Sequence, residues 1–192
     1  RVDRVDVSHF RLSLHLLIAF LILSLIYWNY LKINISRKTT NKLNIFIPLL
    51  FLILVFLQIS IGAFVSGMDA GKIYNSWPLM GNSYFPNDNN INNLFEVAAL
   101  SDPSLVQFIH RNLAYMIGIL YILIFYKIYK NKMYDLYKSI NFLGLFIILQ
   151  IILGIFTVLY GAQIYIASMH QISSIFLVSS SIYFFYLNTK FS

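Results

Sequence analysis

The sequence contains no cysteine and little charge: 11% of its 192 residues are charged, whereas 59% are apolar. Without cysteine, the chain cannot form a disulfide framework, a thiolate metal site or a cysteine nucleophile. Soluble domains are about 25% charged and about 45–50% apolar, so this composition excludes a water-soluble globule and a disordered tail. The chain is predicted to be an integral membrane protein.

The charged residues that are present are mostly basic, with a net charge of +7. In a membrane protein, basic residues indicate orientation rather than a nucleic-acid partner, and no nucleic-acid binding is expected. One predicted side carries a single acid, Asp135, and nine basic residues: Lys32, Arg37, Lys38, Lys42, Lys127, Lys130, Lys132, Lys138 and Lys190. The other side carries the remaining six acids and five basic residues: Arg1, Arg4, Arg11, Lys72 and Arg111. The positive-inside rule therefore places the N-terminal end outside and the C-terminus inside.

Long apolar runs predict how the chain crosses the membrane. A bilayer core of about 30 Å needs about 20 apolar residues of helix. Five stretches meet this requirement: 12–31, 44–65, 105–126, 140–160 and 164–187. The last two are separated only by a tight hairpin around Gly161-Ala162-Gln163. The predicted fold is an all-α polytopic membrane helix bundle with five transmembrane helices.

The long connection at 66–104 is predicted on the outer side and is rich in Gly, Asn and Pro. Ordered loops of this length are uncommon unless they have a function. Its Asn-rich tip is interpreted as a solvated turn, and its flanks as an aromatic lid at the interface formed by Phe64, Tyr74, Trp77 and Phe95.

The chain begins with Arg1-Val2-Asp3-Arg4 and has no initiator Met or signal segment. An N-terminal end on the outer side is unusual for a protein without a signal. We therefore expect that the sequence begins partway through a longer protein and that further helices precede it.

An internal repeat relates the second and fourth spans. Leu57–Phe64 and Leu149–Phe156 share Leu, Gln, Ile, Gly and Phe at the same spacing, offset by 92 residues. The helix before each carries a histidine, His15 or His110, and His170 lies on the final span. Chance similarity between apolar helices is the alternative, but repeats in membrane proteins often share a site at their interface.

His15, His110 and His170 are predicted to lie at one depth, about one turn inside the outer ends of three helices that run in the same direction. Ionisable groups within membrane helices are costly, so their default interpretation is functional. The alternative is a hydrogen bond to a neighbouring helix or a side chain that extends to the interface.

Several ligands could use such imidazoles. Proton relays usually also recruit carboxylates, and zinc needs further ligands, but the five spans contain no carboxylate in their interior. Haem fits better, because two histidines from different helices can occupy both axial positions of its iron. His110 and His170 are the natural pair, and His15 is then left without a partner, which again predicts a missing helix.

Two arginines lie beside these histidines. Arg11 is one turn before His15, and Arg111 directly follows His110. Haem propionates are carboxylates that a guanidinium can hold through two hydrogen bonds, so both arginines are predicted to bind the cofactor. The alternative is an ordinary interfacial arginine. His9 precedes the first span, and no functional role is expected for it.

Four stretches, in order along nearly the whole chain, carry a family resemblance: Ser8–Leu16, Gly62–Gly81, Asn93–Glu96 followed by Val106–Arg111, and Met169–Gln171. Together they resemble heme A synthase, a bacterial and mitochondrial membrane oxidoreductase family. The loop motif through Pro78-Leu79-Met80 is the most specific. The segment 97–105 looks longer than is usual in the family, and the outer-loop cysteine pair of some members is absent.

The resemblance implies an eight-helix protein of two four-helix halves, of which this chain would be the last five helices. Residues 1–43 would then be the last helix of the substrate-haem half with an inner loop, and residues 44–192 the C-terminal haem b half. In the family, haem b lies between two histidines that match His110 and His170. His15 matches one of two histidines that bind the substrate, haem O, at the catalytic site.

The same resemblance implies oxidation of the C8 methyl of haem O to a formyl group, which makes haem A for terminal oxidases. Expected partners are haem O, haem O synthase, an electron donor and the assembly of the terminal oxidase. The expected location is the bacterial inner membrane or the mitochondrial inner membrane. The sequence identifies no donor and leaves a homo-oligomer open, and the chain alone is expected to be inactive.

Two other functional classes remain open at this stage. A membrane b-type cytochrome would carry electrons without oxidising a substrate, and it would have no use for His15. A small-molecule transporter would use the repeat around a midplane site with interrupted helices. The histidines are predicted near the outer surface, which makes the transporter the weakest alternative.

Overall fold

The computed structural model describes residues 8–35 and 39–189, and the described residues form five long helices and three short 3-10 turns. The helices are α1 (His9–Asn34), α2 (Phe46–Gly67), α3 (Pro103–Lys130), α4 (Tyr134–Leu159) and α5 (Ile164–Thr189). Each is long and apolar enough to cross a membrane. The prediction of an all-α bundle with five transmembrane helices is thus confirmed.

Some of the residues behind the predicted orientation lie outside the described ranges: Arg1, Arg4, Arg37, Lys38 and Lys190. The orientation therefore stays a prediction from charge. The end of the bundle at which α1, α3 and α5 begin is called the outer end below.

The helices α2 to α5 form a ring in which each helix packs against its two neighbours, and α2 closes the ring against α5. Consequently α3 and α5 lie diagonally opposite each other, as do α2 and α4. The first helix, α1, packs outside the ring against α2 and α5. Apolar side chains from several helices fill the centre, including Phe51, Val55, Val178 and Phe184, all at most 1% exposed.

Helix α4 starts six residues before its predicted beginning, at Tyr134 rather than at residue 140. Asp135 lies in its first turn, where a carboxylate interacts favourably with the positive end of the helix dipole. Leu136 and Ile140 are fully buried. The extra turn therefore belongs to the packed bundle, although its charges kept it out of the hydropathy-based span.

The predicted hairpin between α4 and α5 is present. Gly161 and Ala162 both adopt left-handed backbone conformations, with φ of 64° and 55°. The amide of Ala162 donates to the carbonyl of Thr157 at 2.7 Å and so closes the end of α4. Such a short turn forces α4 and α5 to pack as antiparallel neighbours.

The connection between α1 and α2 is tied to the opposite, inner ends of α4 and α5. Thr39 donates through its hydroxyl to the carbonyl of Leu187 at 2.8 Å. Asn188 accepts from the amide of Leu43 at 2.8 Å and donates to its carbonyl at 3.1 Å. These buried hydrogen bonds hold the segment before α2 against the end of α5.

Candidate functional site

The three membrane histidines occupy equivalent positions on parallel helices. His15 is the seventh residue of α1, His110 the eighth of α3 and His170 the seventh of α5. At a rise of about 1.5 Å per residue, each lies roughly 10 Å along its helix from the outer end. This is nearly two turns rather than the predicted one; α1 and α3 begin three and two residues before their predicted boundaries, whereas α5 begins at its predicted residue.

His110 and His170 form a pair inside the ring. They lie on the diagonally opposite helices α3 and α5, at nearly the same distance from the outer end. Both residues are half-buried, but the Nδ1 atom of each is fully buried and has no hydrogen-bond partner among the described residues. Since buried polar atoms are rarely left unpaired, this pair has unused capacity to bind a ligand.

The neighbouring helix α2 supports His110 at two points. The Gln58 Nε2 atom donates to the backbone carbonyl of His110 at 3.1 Å and lies 3.3 Å from the Nε2 atom of its ring. One turn further along α2, Gly62 faces the ring, and a Cβ atom there would lie 3.1 Å from the Cε1 atom of His110. The imidazole thus rests directly on the backbone of α2.

Helix α4 supports His170 in the same way. The Gln150 Nε2 atom donates to the carbonyl of His170 at 3.1 Å and to the Ser173 hydroxyl at 2.7 Å. A Cβ atom on Gly154 would lie 3.3 Å from the Cε1 atom of His170. In both copies of the repeat, therefore, one glutamine and one glycine contact a histidine of the next helix.

The contacts pair each Gln–Gly helix with a different histidine from the one with which the sequence analysis grouped it. There, each Gln–Gly helix was grouped with the histidine of the preceding helix. In the structure, α2 supports the histidine of α3, and α4 supports the histidine of α5. Sequence reasoning noticed the coincidence of Gln and Gly but did not assign these residues to the site.

His15 is not part of this pair. It lies on α1, outside the ring, and its side chain is exposed, as is that of Arg11 one turn earlier. The apolar side chains of Leu14 and Ile18 beside it are also exposed, by 58% and 47%. Arg11 and His15 therefore share an uncovered region of α1 near its outer end.

Arg111 is buried beneath the outer loop. Its guanidinium donates to the carbonyls of Tyr74 and Ser76, both at 2.9 Å, and to that of Leu79 at 3.3 Å. Its Nε atom is buried without a partner among the described residues. Gln107, one turn earlier, also donates to the carbonyl of Tyr74 at 3.0 Å, so one face of α3 holds the loop in place.

The Asn-rich tip of the outer loop is more than a solvated turn, because Asp88 connects the tip to other segments. Its carboxylate accepts from the Tyr74 hydroxyl at 2.7 Å and from the Ser104 hydroxyl at 2.6 Å. Desolvation alone would raise the pKa of Asp88, but the hydrogen bonds from Ser104 and Tyr74 outweigh it and lower that pKa below its ordinary value of 3.8. The tip is thereby joined to the start of α3.

The four residues of the predicted aromatic lid do not act together. Trp77 donates from its indole nitrogen to the Tyr115 hydroxyl on α3 at 2.9 Å. Phe64 is instead buried at the end of α2, where its ring packs edge-on against His9. Phe95 is 88% exposed. The loop is instead held over α3 by hydrogen bonds and by the edge-on packing of Tyr84 and Phe85 against Phe108.

The pair of histidines fits a haem better than a bare metal ion. Among the described residues, no group of three or more His, Asp or Glu side chains is gathered as a metal-ion site would require. Two imidazoles from different helices could together hold one haem iron, and the unpaired Nδ1 atoms are consistent with that use. An apolar groove at the adjoining ends of α4 and α5 is lined by Leu153, Phe156, Tyr160, Ile166 and Met169.

Comparisons with known proteins agree along almost the whole chain. The profile of the COX15-CtaA family, described as cytochrome oxidase assembly protein, matches residues 2–182. A protein named heme A synthase from Pelagibacter ubique is 45% identical over 189 residues, which cover 98% of this chain and 56% of the relative. Another with that name from Rickettsia felis is 37% identical over 187 residues, covering 95% of this chain and 55% of the relative. The chain thus spans about half the length of these relatives, and no solved structure gives a match.

Proposed function

Since this chain belongs to the COX15-CtaA family of cytochrome oxidase assembly proteins, we propose that it is the C-terminal, haem b-binding part of a heme A synthase. Such an enzyme oxidises the C8 methyl of haem O to a formyl group and so makes haem A for terminal oxidases. The observation that carries this proposal is that His110 and His170 lie on diagonal helices of one ring, each with a buried Nδ1 atom that has no hydrogen-bond partner among the described residues. The relatives that bear this name support the reaction.

In this proposal, His110 and His170 would hold a haem b through their imidazole nitrogens. When bound there, that haem supplies a one-electron redox centre that can pass electrons from a donor toward the substrate. Gln58 and Gln150 donate hydrogen bonds to the backbone carbonyls of His110 and His170, respectively. These bonds fix the backbone from which each imidazole extends.

His15 is proposed as an axial ligand of the substrate, haem O. Its exposed position on α1 leaves its ring open to a ligand that a facing helix would help to enclose. Arg11, one turn away, would hold a propionate of that substrate. Arg111 would offer its unpaired Nε–H to a propionate of haem b, in addition to its contacts with the loop.

The cellular setting follows from the same proposal. Haem O would come from a haem O synthase, and the product would go to the assembly of a terminal oxidase. The membrane would be the bacterial inner membrane or the mitochondrial inner membrane, with the outer end of the bundle outside. The 192-residue chain alone would bind haem b but form no haem A.

The role of His15 separates this function from that of a plain b-type electron carrier. We expect His15→Ala to reduce haem A formation at least about tenfold, because a ligand to the substrate iron is lost, while the haem b spectrum stays unchanged. Haem O and haem A would be quantified by chromatography of extracts from membranes that contain the whole protein with a supply of haem O. The exposed neighbour Leu14 provides the control variant Leu14→Ala, which should retain haem A formation.

Two results would argue against this function. Unchanged haem A formation in His15→Ala would remove the proposed ligand role of that residue. Absence of haem A from the wild-type membranes, with a haem b spectrum present and haem O supplied, would favour an electron carrier without substrate oxidation.

A further inference from the structure

We propose that Gly62 and Gly154 are positioning residues that set the rotation of the imidazole planes of His110 and His170. The inference rests on the proposed function, because it assumes that both rings bind haem iron. It concerns the orientation of the ligands rather than their identity.

The first observation is the closeness of each ring to the backbone of the neighbouring helix. A Cβ atom on Gly62 would lie 3.1 Å from the Cε1 atom of His110, and one on Gly154 would lie 3.3 Å from that of His170. Ordinary van der Waals contacts of a Cβ atom begin at about 3.4 Å. A methyl group at either position would therefore have to push the ring away by a few tenths of an ångström.

The second observation is that the backbone of each ligand residue is fixed. Gln58 and Gln150 each donate a hydrogen bond of 3.1 Å to the carbonyl of the histidine that they face. The helices that carry these side chains are also packed closely together. Because the backbone resists displacement, a clash at the glycine is relieved most easily by rotation of the imidazole ring.

The third observation is that the arrangement occurs twice. Each copy of the repeat places its glutamine one turn before its glycine and brings both to one histidine. Two unrelated packing accidents would not be expected to reproduce the same contact atom, Cε1, at nearly the same distance. Gly62 and Gly154 thus each form part of the surface against which a histidine ring packs.

Ring rotation has a measurable consequence for a haem with two histidine ligands. Groups around a ligating histidine fix its ring orientation and tune the bound metal, and the environment of the axial ligands sets the reduction potential. A rotated imidazole changes the splitting of the iron d orbitals, which electron paramagnetic resonance reports through the largest g value of the low-spin ferric haem.

The test compares Gly62→Ala and Gly154→Ala with Gly118→Ala in the haem-loaded protein. Gly118 is the matched control, because it also lies within a membrane helix and a Cβ atom there would meet nothing within 4 Å. All three substitutions raise helix propensity, so this effect is common to them. We expect a shifted largest g value and a shifted midpoint potential in Gly62→Ala and Gly154→Ala, and wild-type values in Gly118→Ala.

A second pair of variants covers the case in which Gly62→Ala binds no haem. His110→Gly supplied with free imidazole should recover a low-spin haem, and adding Gly62→Ala to it should then have no effect, because a free imidazole can move away from the methyl. Continued loss of haem in the double variant would mean that Gly62 acts on the haem or on the fold, and it would overturn the inference.

The outcomes also separate this inference from the proposed function. Wild-type g values and potentials in haem-loaded Gly62→Ala and Gly154→Ala would overturn the positioning role and leave the pair of ligands intact. A wild-type protein without a haem signal from two histidines would instead overturn the proposed function itself.

Discussion

At the scale of single residues, the hydrogen-bond partners of Arg111 distinguish its role from that of Arg11. Arg111 and Arg11 look alike in sequence, since each lies beside a membrane histidine. Arg111 is 8% exposed and donates to three loop carbonyls, whereas Arg11 is exposed. The structure therefore gives Arg111 a task in the fold that does not depend on any cofactor.

We expect Arg111→Gln to loosen the outer loop even in the haem-free protein. Hydrogen bonds that involve a charged group are worth about 1.5–3 kcal/mol each, and a shorter amide reaches fewer of the carbonyls, so we expect a loss of roughly 2–4 kcal/mol of stability. Thermal denaturation in detergent and limited proteolysis within the loop would measure this.

Two further variants sharpen that measurement. Arg111→Lys keeps the charge but not the planar fork of donors, so we expect an intermediate loss. Arg11→Gln should leave proteolysis of the loop unchanged. Equal protection of the loop in wild type and Arg111→Gln would contradict the role assigned to the guanidinium.

At the scale of elements, the outer loop and α3 form one unit. The loop reaches α3 through hydrogen bonds from Gln107 and Arg111, through the contact of Trp77 with Tyr115, and through the carboxylate of Asp88. Asp88 supplies the carboxylate among these contacts. Asp88 is therefore the contact through which acid should act on the loop.

The hydrogen bonds to Asp88 predict how the loop responds to pH. Because its pKa is lowered in the folded protein, ionised Asp88 stabilises the loop above its ordinary pKa of 3.8, and this contribution is lost as the pH falls below that value. Hydrogen exchange of loop amides in wild type, relative to Asp88→Asn at the same pH, should show protection at neutral pH that disappears in acid.

The comparison with Asp88→Asn removes the effects of other titrating groups, since those are the same in both proteins. If the difference in loop-amide protection between wild type and Asp88→Asn does not change with pH, ionisation of Asp88 does not stabilise the loop, and the prediction is wrong.

An element can be predicted from sequence when the interactions that determine it lie within a short stretch of the chain. Five apolar runs of sufficient length gave five helices, because hydropathy and length are local properties. The earlier start of α4 at Tyr134 was missed, since its charged first turn is stabilised by the helix end and by packing rather than by hydropathy. The loop was missed more fully, because Asp88 and Tyr74 are joined only in three dimensions.

At the scale of the whole molecule, the ring of four helices brings the two copies of the repeat together around one pair of histidines. The pairing of His110 with His170 was predicted from the sequence, and the structure places them on diagonal helices. The matching of Gln58 with His110 and of Gln150 with His170 could not be predicted in this way. Hydropathy shows that helices cross the membrane, but it does not show which neighbour each face meets.

The structure also explains why one histidine stands apart. His15 lies on α1, which packs against the outside of the ring and leaves His15 exposed. The surroundings of His15 therefore differ from those of His110 and His170, and the proposed function assigns them to different haems.

The measurement that tests the central claim most directly is a reduced-minus-oxidised spectrum with haem extraction, made on the purified chain and on its His110→Ala, His170→Ala and His15→Ala variants. We predict a low-spin haem b signal that is lost in His110→Ala and in His170→Ala, because each removes one axial ligand, and that persists in His15→Ala. A colourless, folded wild-type protein given an adequate supply of haem would contradict the account, as would a haem b signal that survives in both His110→Ala and His170→Ala.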